Sequence, residues 1–265
     1  MTDFADFERS GWADRGAGYA GGFGAYTARC VPALLDAVEP CVGRLLVDVG
    51  TGPGIAALAA SVRGAEVVGI DESAAMLHEA QRRLPVVVRA RGQELPLRTA
   101  VADIVIGNCV VNHLPDPAAG VAELARILRP GGRLALTAWD LAGGNQATGV
   151  VGRAIMSAAV VPPATPANPF AAHADPAAFG ALLVAAGLAD VRVDPVRFTH
   201  VVAPDVWWEA IRSGTVTTNG QLDALDVTSL DRVRAAYQEL TAEYLDADGN
   251  AHLPALAWLA VGCGI

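Results

Sequence analysis

The segment Leu45-Leu46-Val47-Asp48-Val49-Gly50-Thr51-Gly52-Pro53-Gly54 joins an apolar run to the helical stretch Ile55 to Val62 through three alternating glycines, with an acid just before the turn. Glycine at such positions lets the backbone take positive φ and approach a ligand without a Cβ clash, while the free N–H groups of the following helix point at the turn. A dinucleotide fingerprint would need glycine at 50, 52 and 55, and Ile55 occupies the third place. Asp48 argues the same way. A carboxylate at the mouth of the loop repels a pyrophosphate but suits a ligand carrying an ammonium and a sulfonium. S-adenosylmethionine is such a ligand.

From residue 45 to about 140 short β-branched runs alternate with helical stretches, the pattern of a parallel sheet flanked by helices. Strands are expected at 45–49, 66–70, 86–90, 104–107 and 133–138, with apolar runs suited to burial on both faces. Helices are expected at 55–62, 74–84 and 118–128, the last introduced by Asp116-Pro117 as N-cap and N1 and closed by Arg129-Pro130-Gly131-Gly132. After Trp139 the rhythm breaks. Residues 142–174 read as an insertion with a helix at 150–160 and a proline-rich stretch, and Asp175-Pro176 caps a further helix closed by Gly187. A sixth strand is expected at 191–202, a helical excursion carrying Trp207 and Trp208 at 204–245, and a seventh strand at 252–261. The expected organisation is therefore one domain: a helical lid at 1–44, a cofactor-binding core at 45–140, cap insertions at 142–174 and 204–245, and closing strands at 187–202 and 252–262.

The 265 residues carry a formal charge of −9, and no basic stripe interleaved with aromatics is present, which argues against a nucleic-acid surface. All 19 basic residues are arginine, so Schiff-base and pyridoxal chemistry, which need a lysine amine, are excluded. Cys30, Cys41, Cys109 and Cys263 lack CxxC spacing and read as small apolar residues, with neither a metal site nor a disulfide frame. Every apolar run is interrupted well before the roughly 18 residues of a membrane span. The acidic start, Met1 to Glu8, lacks the basic and apolar regions of a secretory signal. A cytoplasmic protein is expected, acting on a small molecule; a homodimer is compatible with the chain.

Asp71 ends the second expected strand, beside the glycine loop at the carboxyl edge, where a carboxylate can take both ribose hydroxyls of an adenosine; the alternative is a cap on the helix that follows. The fourth strand leads into Gly107-Asn108-Cys109-Val110-Val111-Asn112-His113-Leu114-Pro115-Asp116-Pro117, and the fifth is preceded by Leu128-Arg129-Pro130-Gly131-Gly132-Arg133-Leu134. With the glycine loop, Asp71 and Glu94-Leu95-Pro96-Leu97 in this order, residues 44–140 resemble a class I S-adenosylmethionine-dependent methyltransferase, of the type found in ubiquinone and menaquinone biosynthesis and in small-molecule tailoring.

The resemblance implies a Rossmann-like α/β fold, with a seven-stranded sheet in the order 3-2-1-4-5-7-6 and the last strand antiparallel. It assigns the methionine end of the cofactor to Asp48, Gly50, Thr51 and Gly52, the ribose to Asp71, its edge and the adenine face to Glu72 and Met76, and the adenine edge to Gln93 and Glu94. Asn108 and Val110 would line the methionine side. Arg91 stands where many relatives carry an adenine-accepting Asp, and arginine can only donate, so backbone groups of Gly92 or Gln93 are expected to take that role.

Methyl transfer is an in-line displacement, which needs alignment and exclusion of water more than a base. For a hydroxyl or acidic carbon, His113 is the first candidate base, against a plain turn histidine, and Asp140 the second, against a loop cap. Tyr19 would pin cofactor or acceptor, or simply pack. His173 and His200 lie outside the recognised core and default to surface or strand roles. Trp207 and Trp208 read as core aromatics with some weight as an acceptor wall. The expected activity is methyl transfer to a small, largely apolar acceptor, releasing S-adenosylhomocysteine. Two other readings are a cofactor-binding module that does not transfer methyl and, against the glycine spacing, a nicotinamide-dependent oxidoreductase.

Overall fold

A computed structural model describes residues 3–265 of the chain. Seven strands, β1 (Leu45–Val49), β2 (Glu66–Asp71), β3 (Val87–Arg89), β4 (Ala102–Asn108), β5 (Leu128–Trp139), β6 (Ala189–Val202) and β7 (Ala251–Cys263), form one sheet in the order β3-β2-β1-β4-β5-β7-β6. Pairings from β3 to β5 are parallel, while β7 runs antiparallel to both β5 and β6. That is the expected order and direction.

The central strands are buried on both faces because neighbouring residues of a strand point to opposite sides and both sides are apolar, whereas the edge strand β6 alternates half-buried and exposed residues. On one face Val47, Val105 and Leu134 pack with Val121 and Leu124 of α7 (Pro117–Ile127) and with Phe179 and Leu183 of α9 (Pro176–Ala185). On the other, Leu46, Ile104 and Ala135 meet Leu34 and Leu35 of α4 (Val31–Asp36) and Ala57 and Ala60 of α5 (Ile55–Val62). Between β2 and β3 lies α6 (Ala74–Ala80), shorter than the pattern predicts because the chain leaves the helix in a turn that buries Leu84.

A third apolar cluster builds the cap. Here α8 (Gln146–Ser157), α10 (Pro204–Gly214), α11 (Thr217–Asp223) and α12 (Val227–Ala242) pack around Trp207, Ile211, Val233 and Tyr237, and join the ends of β6 and β7 through Phe198, Leu253 and Ala255. The single excursion expected at 204–245 is thus three helices. One break follows Gly214, where a Cβ would lie 2.2 Å from the Cβ of Phe23; the other precedes Asp226, which caps α12 by accepting from the Ser229 N–H. Three N-terminal helices, α1 (Phe4–Trp12), α2 (Gly16–Gly21) and α3 (Phe23–Thr27), cross from the cap to the sheet edge. Two further expectations shift. α8 starts at Gln146 rather than at 150, and β5 starts at Leu128, which pairs with Ala102 before the strand bulges through Arg129-Pro130-Gly131-Gly132, where the Gly131 N–H bonds the Gly264 carbonyl beyond β7.

No helix among the described residues is long and apolar enough to cross a membrane, and no cluster of metal-ligating side chains occurs among them.

Candidate active site

β1, β2, β4 and β5 all end on the same edge, and the residues just past those ends line a cavity of about 700 Å³ roofed by α1, α2 and the cap. In an open α/β sheet this edge is where a ligand fits. The glycine turn forms its floor. Gly50, Gly52 and Gly54 have φ of +68°, +53° and +82°, but the three absent side chains serve different ends. A Cβ on Gly50 would lie 2.2 Å from Val110, and one on Gly54 3.1 Å from Leu84, so these two glycines permit packing. A Cβ on Gly52 would meet nothing nearer than 4.0 Å, the sulfur of Met76 and the ring of Tyr19. Only Gly52 leaves room for a ligand.

Asp71 accepts from the Gly52 N–H at 2.9 Å through Oδ2 and from the Ser73 N–H at 2.9 Å through Oδ1. Capping of α6 is done by Ser73 itself, whose hydroxyl accepts from the Met76 N–H at 3.3 Å. Asp71 therefore braces the glycine turn against β2 and still faces the cavity, and burial raises its pKa. Asp48 lies deeper, in an annex of about 20 Å³ shared with Tyr19, Thr27, Thr51 and Asn108. Its Oδ2 accepts from the Thr51 hydroxyl at 2.7 Å, its buried Oδ1 has no partner, and burial pushes its pKa up to about 7. An unpartnered carboxylate oxygen in an annex shared with Gly50 and Gly52 is an acceptor that fits a donating ammonium, such as that of S-adenosylmethionine.

Of the other residues singled out from the sequence, Tyr19, Glu72, Met76, Gly92, Gln93, Asn108, Val110, His113 and Asp140 line the cavity. Tyr19 exchanges a 2.9 Å hydrogen bond with the Thr27 hydroxyl, and burial raises its pKa. Asn108 donates to the Thr27 carbonyl at 3.1 Å and accepts from Thr137, tying the end of β4 to α3 and β5. Val110 is delivered over Gly50 by the left-handed turn at Cys109, φ +57°. Glu94 is exposed and does not line the cavity. Arg91 is turned outward to Glu72, at 3.3 Å, leaving the backbone of Gly92 and Gln93 on the cavity wall.

The two candidate bases differ in how committed they are. Asp140 accepts from the Gly144 N–H at 2.6 Å with one oxygen and from the Trp258 indole at 3.0 Å with the other, as a loop cap would. The His113 ring is a third exposed, with Nδ1 2.8 Å from Oε2 of Glu8 and Nε2 3.0 Å from the Asn112 amide nitrogen. Trp12 stands edge-on to it, centroids 5.2 Å apart, and donates its indole N–H to the same Glu8 oxygen at 2.8 Å.

Glu8 and Trp12 escaped the sequence reading. The signal was their spacing: Phe4, Glu8 and Trp12 recur every fourth residue and share one face of α1, with a carboxylate in line with two aromatics. Trp139, Leu141, Thr148, Thr215, Thr217 and Thr218 also line the cavity, and no local pattern singled them out. Trp207 and Trp208 are buried in the cap and do not reach the cavity. His200 sits among Tyr26 and Trp207, where burial and Arg29 lower its pKa to about 4, and His173 lies near Phe170, away from the site.

Residues 47–136 match the family model described as a methyltransferase domain, about a third of the chain. An uncharacterized methyltransferase of Mycobacterium bovis is 38% identical over 107 residues, 38% of this chain and 42% of that protein, so the match spans less than half the length of the curated relative. Among solved structures, the YcgJ protein of Bacillus subtilis superposes with a TM-score of 0.57 at 18% identity, covering 88% of this chain and 97% of that one. Phosphoethanolamine N-methyltransferase 2 of Haemonchus contortus, solved with S-adenosylmethionine, superposes with a TM-score of 0.51 at 18% identity, covering 88% and 52%. These likenesses extend the shared fold well beyond the segment matched in sequence.

Proposed function

We propose that this chain, which carries a methyltransferase domain with S-adenosylmethionine as its methyl donor, transfers that methyl in the cytoplasm to a small, largely apolar organic acceptor seated between the cofactor edge and the cap. The donor supplies an electrophilic methyl carbon on a sulfonium. The observation that carries the reading is Gly52, whose N–H is held by Asp71 while a Cβ there would meet nothing nearer than 4.0 Å, in a turn that shares an annex with Asp48. Asp48 and the Gly50 and Gly52 backbone hold the amino-acid end, Asp71 takes the ribose hydroxyls, and Met76 with the backbone of Gly92 and Gln93 receives the adenine. Trp139 and Leu141 give the acceptor an apolar wall, and the threonines of the cap edge give it neutral hydrogen-bonding groups. Alignment of acceptor, methyl carbon and sulfur does most of the chemistry.

Calorimetry with S-adenosylhomocysteine tests the cofactor site. Asp71→Ala and Gly52→Val should each abolish detectable binding; unchanged affinity in both would move the site elsewhere. Transfer itself is read from the product. S-adenosylhomocysteine accumulating in step with acceptor methylation supports it, whereas acceptor turnover with intact S-adenosylmethionine would mean that the bound cofactor serves another reaction.

A further inference from the structure

The strongest cluster outside the cofactor cradle is Glu8, Trp12, Asn112 and His113, which joins the first helix to the loop after β4 at the cavity wall. We propose that Glu8 is a positioning residue that holds His113 in the Nδ1–H form, leaving the Nε2 lone pair at the cavity wall as the proton acceptor for a hydroxyl-bearing acceptor molecule. The inference rests on the methyl-transfer reading above for its purpose, though not for its geometry.

Three observations converge on it. A carboxylate 2.8 Å from Nδ1 accepts a proton and cannot supply one while ionised, so the ring proton belongs on Nδ1. On the other side Nε2 lies 3.0 Å from the Asn112 amide nitrogen, which donates to it in that same tautomer. The carboxylate itself is fixed, its side chain only 9% exposed and its Oε2 also holding the Trp12 indole N–H at 2.8 Å. Glu8 orients the ring as the carboxylate of a catalytic triad orients its histidine. The charged groups facing the ring are Glu8 from α1 and, across the cavity, Asp71 at the end of β2; Arg9 and Glu72 are paired with each other at 3.1 Å.

A hydroxyl acceptor in the cavity takes the place of the Asn112 amide and donates to Nε2. As the acceptor oxygen bonds the methyl carbon, its proton passes to Nε2 and the pair of the breaking S–C bond goes to sulfur. The positive charge thereby moves from sulfonium to imidazolium, where Glu8 stands ready, and the proton then leaves to solvent. A neutral amine acceptor would need no such base, since its lone pair is already available.

The test is the ring tautomer in the cofactor-free protein, read from histidine side-chain ¹⁵N–¹H spectra at about pH 9, where an ordinary imidazole is neutral. His113→Ala identifies the signal among the 5 histidines. Wild type should show Nδ1 protonated and Nε2 bare. Glu8→Ala should shift the population to the Nε2–H form that free imidazole side chains favour, and Glu8→Gln, whose amide oxygen can still accept, should restore the wild-type pattern. Glu8→Ser, too short to reach, serves the same purpose if the alanine variant does not fold. An Nε2–H ring in wild type, or an unchanged tautomer in Glu8→Ala or Glu8→Ser, overturns the proposal. Calorimetry of S-adenosylhomocysteine on the same samples separates the two readings: loss of binding by wild type would sink the methyltransferase reading while the tautomer result stood.

Discussion

Asp48 is 1% exposed, one of its oxygens is held by Thr51, the other meets no partner, and burial pushes its pKa up to about 7. Because it binds a proton more tightly in the fold than in the unfolded chain, its ionisation costs stability as pH rises from about 4 to about 7 and no more above that. A ligand ammonium reverses the preference, favouring the carboxylate, so binding below about pH 7 must release a proton. Affinity for S-adenosylhomocysteine should therefore fall as pH drops from about 8 to about 5.5, by up to tenfold per unit for one linked proton. Asp71, also raised by burial, acts in the same direction. Calorimetry of wild type against Asp48→Asn checks this: the variant should bind weakly with a flatter profile, and a flat wild-type profile would contradict the linkage. Asp48, Gly52 and Asp71 were legible because each stands at a fixed offset from a strand end. Glu8 was not, since its partner lies 105 residues away and no local pattern reports a contact at that distance.

At the scale of elements, strands could be read where apolar runs are bounded by glycine and charge, and helices where an Asp-Pro cap precedes them, as at Asp116 and Asp175. Boundaries slipped where packing overrode the local pattern, as with the early end of α6, the extended start of β5 and the breaks between α10, α11 and α12. α1 is the element whose contribution is most separable. None of its residues belongs to the three apolar clusters, while Glu8, Arg9 and Trp12 wall the cavity and Gly11 packs so closely on Val216 that a Cβ would lie 2.2 Å from it. Deleting residues 1–14 should leave the sheet and cap folded, with far-ultraviolet circular dichroism reduced only by one helix. Affinity for S-adenosylhomocysteine should fall about tenfold or more, the loss expected when on the order of 1.4 kcal/mol of wall contacts is removed. Undiminished affinity would show that α1 does not cover the cofactor.

For the molecule as a whole, the sheet order was not written in any local pattern; it came with the family resemblance, because parallel pairing between distant strands is decided by packing of the complete layers. The cap was readable only as an interruption of the strand rhythm. Its internal packing, with Trp207 donating to the Ala147 carbonyl at 2.7 Å across 60 residues, depends on contacts no window of sequence contains. The cavity between these layers is lined from α1, α2, the glycine turn, the ends of β2, β4 and β5, and the α10–α11 junction, so one ligand touches parts that the apolar clusters hold separately. A ligand that binds only the folded state adds RT ln(1 + [L]/Kd), about 2.7 kcal/mol at a hundredfold excess over Kd. In a chain of this size that is worth roughly 5 to 10 °C in melting temperature. S-adenosylhomocysteine should therefore raise the midpoint by that amount in a single cooperative transition, and Asp71→Ala should lose the shift. NADH should give none, because the third fingerprint glycine is Ile55 and the carboxylates of Asp48 and Asp71 meet any pyrophosphate on this edge. A shift with NADH and none with S-adenosylhomocysteine would reassign the glycine turn to a dinucleotide.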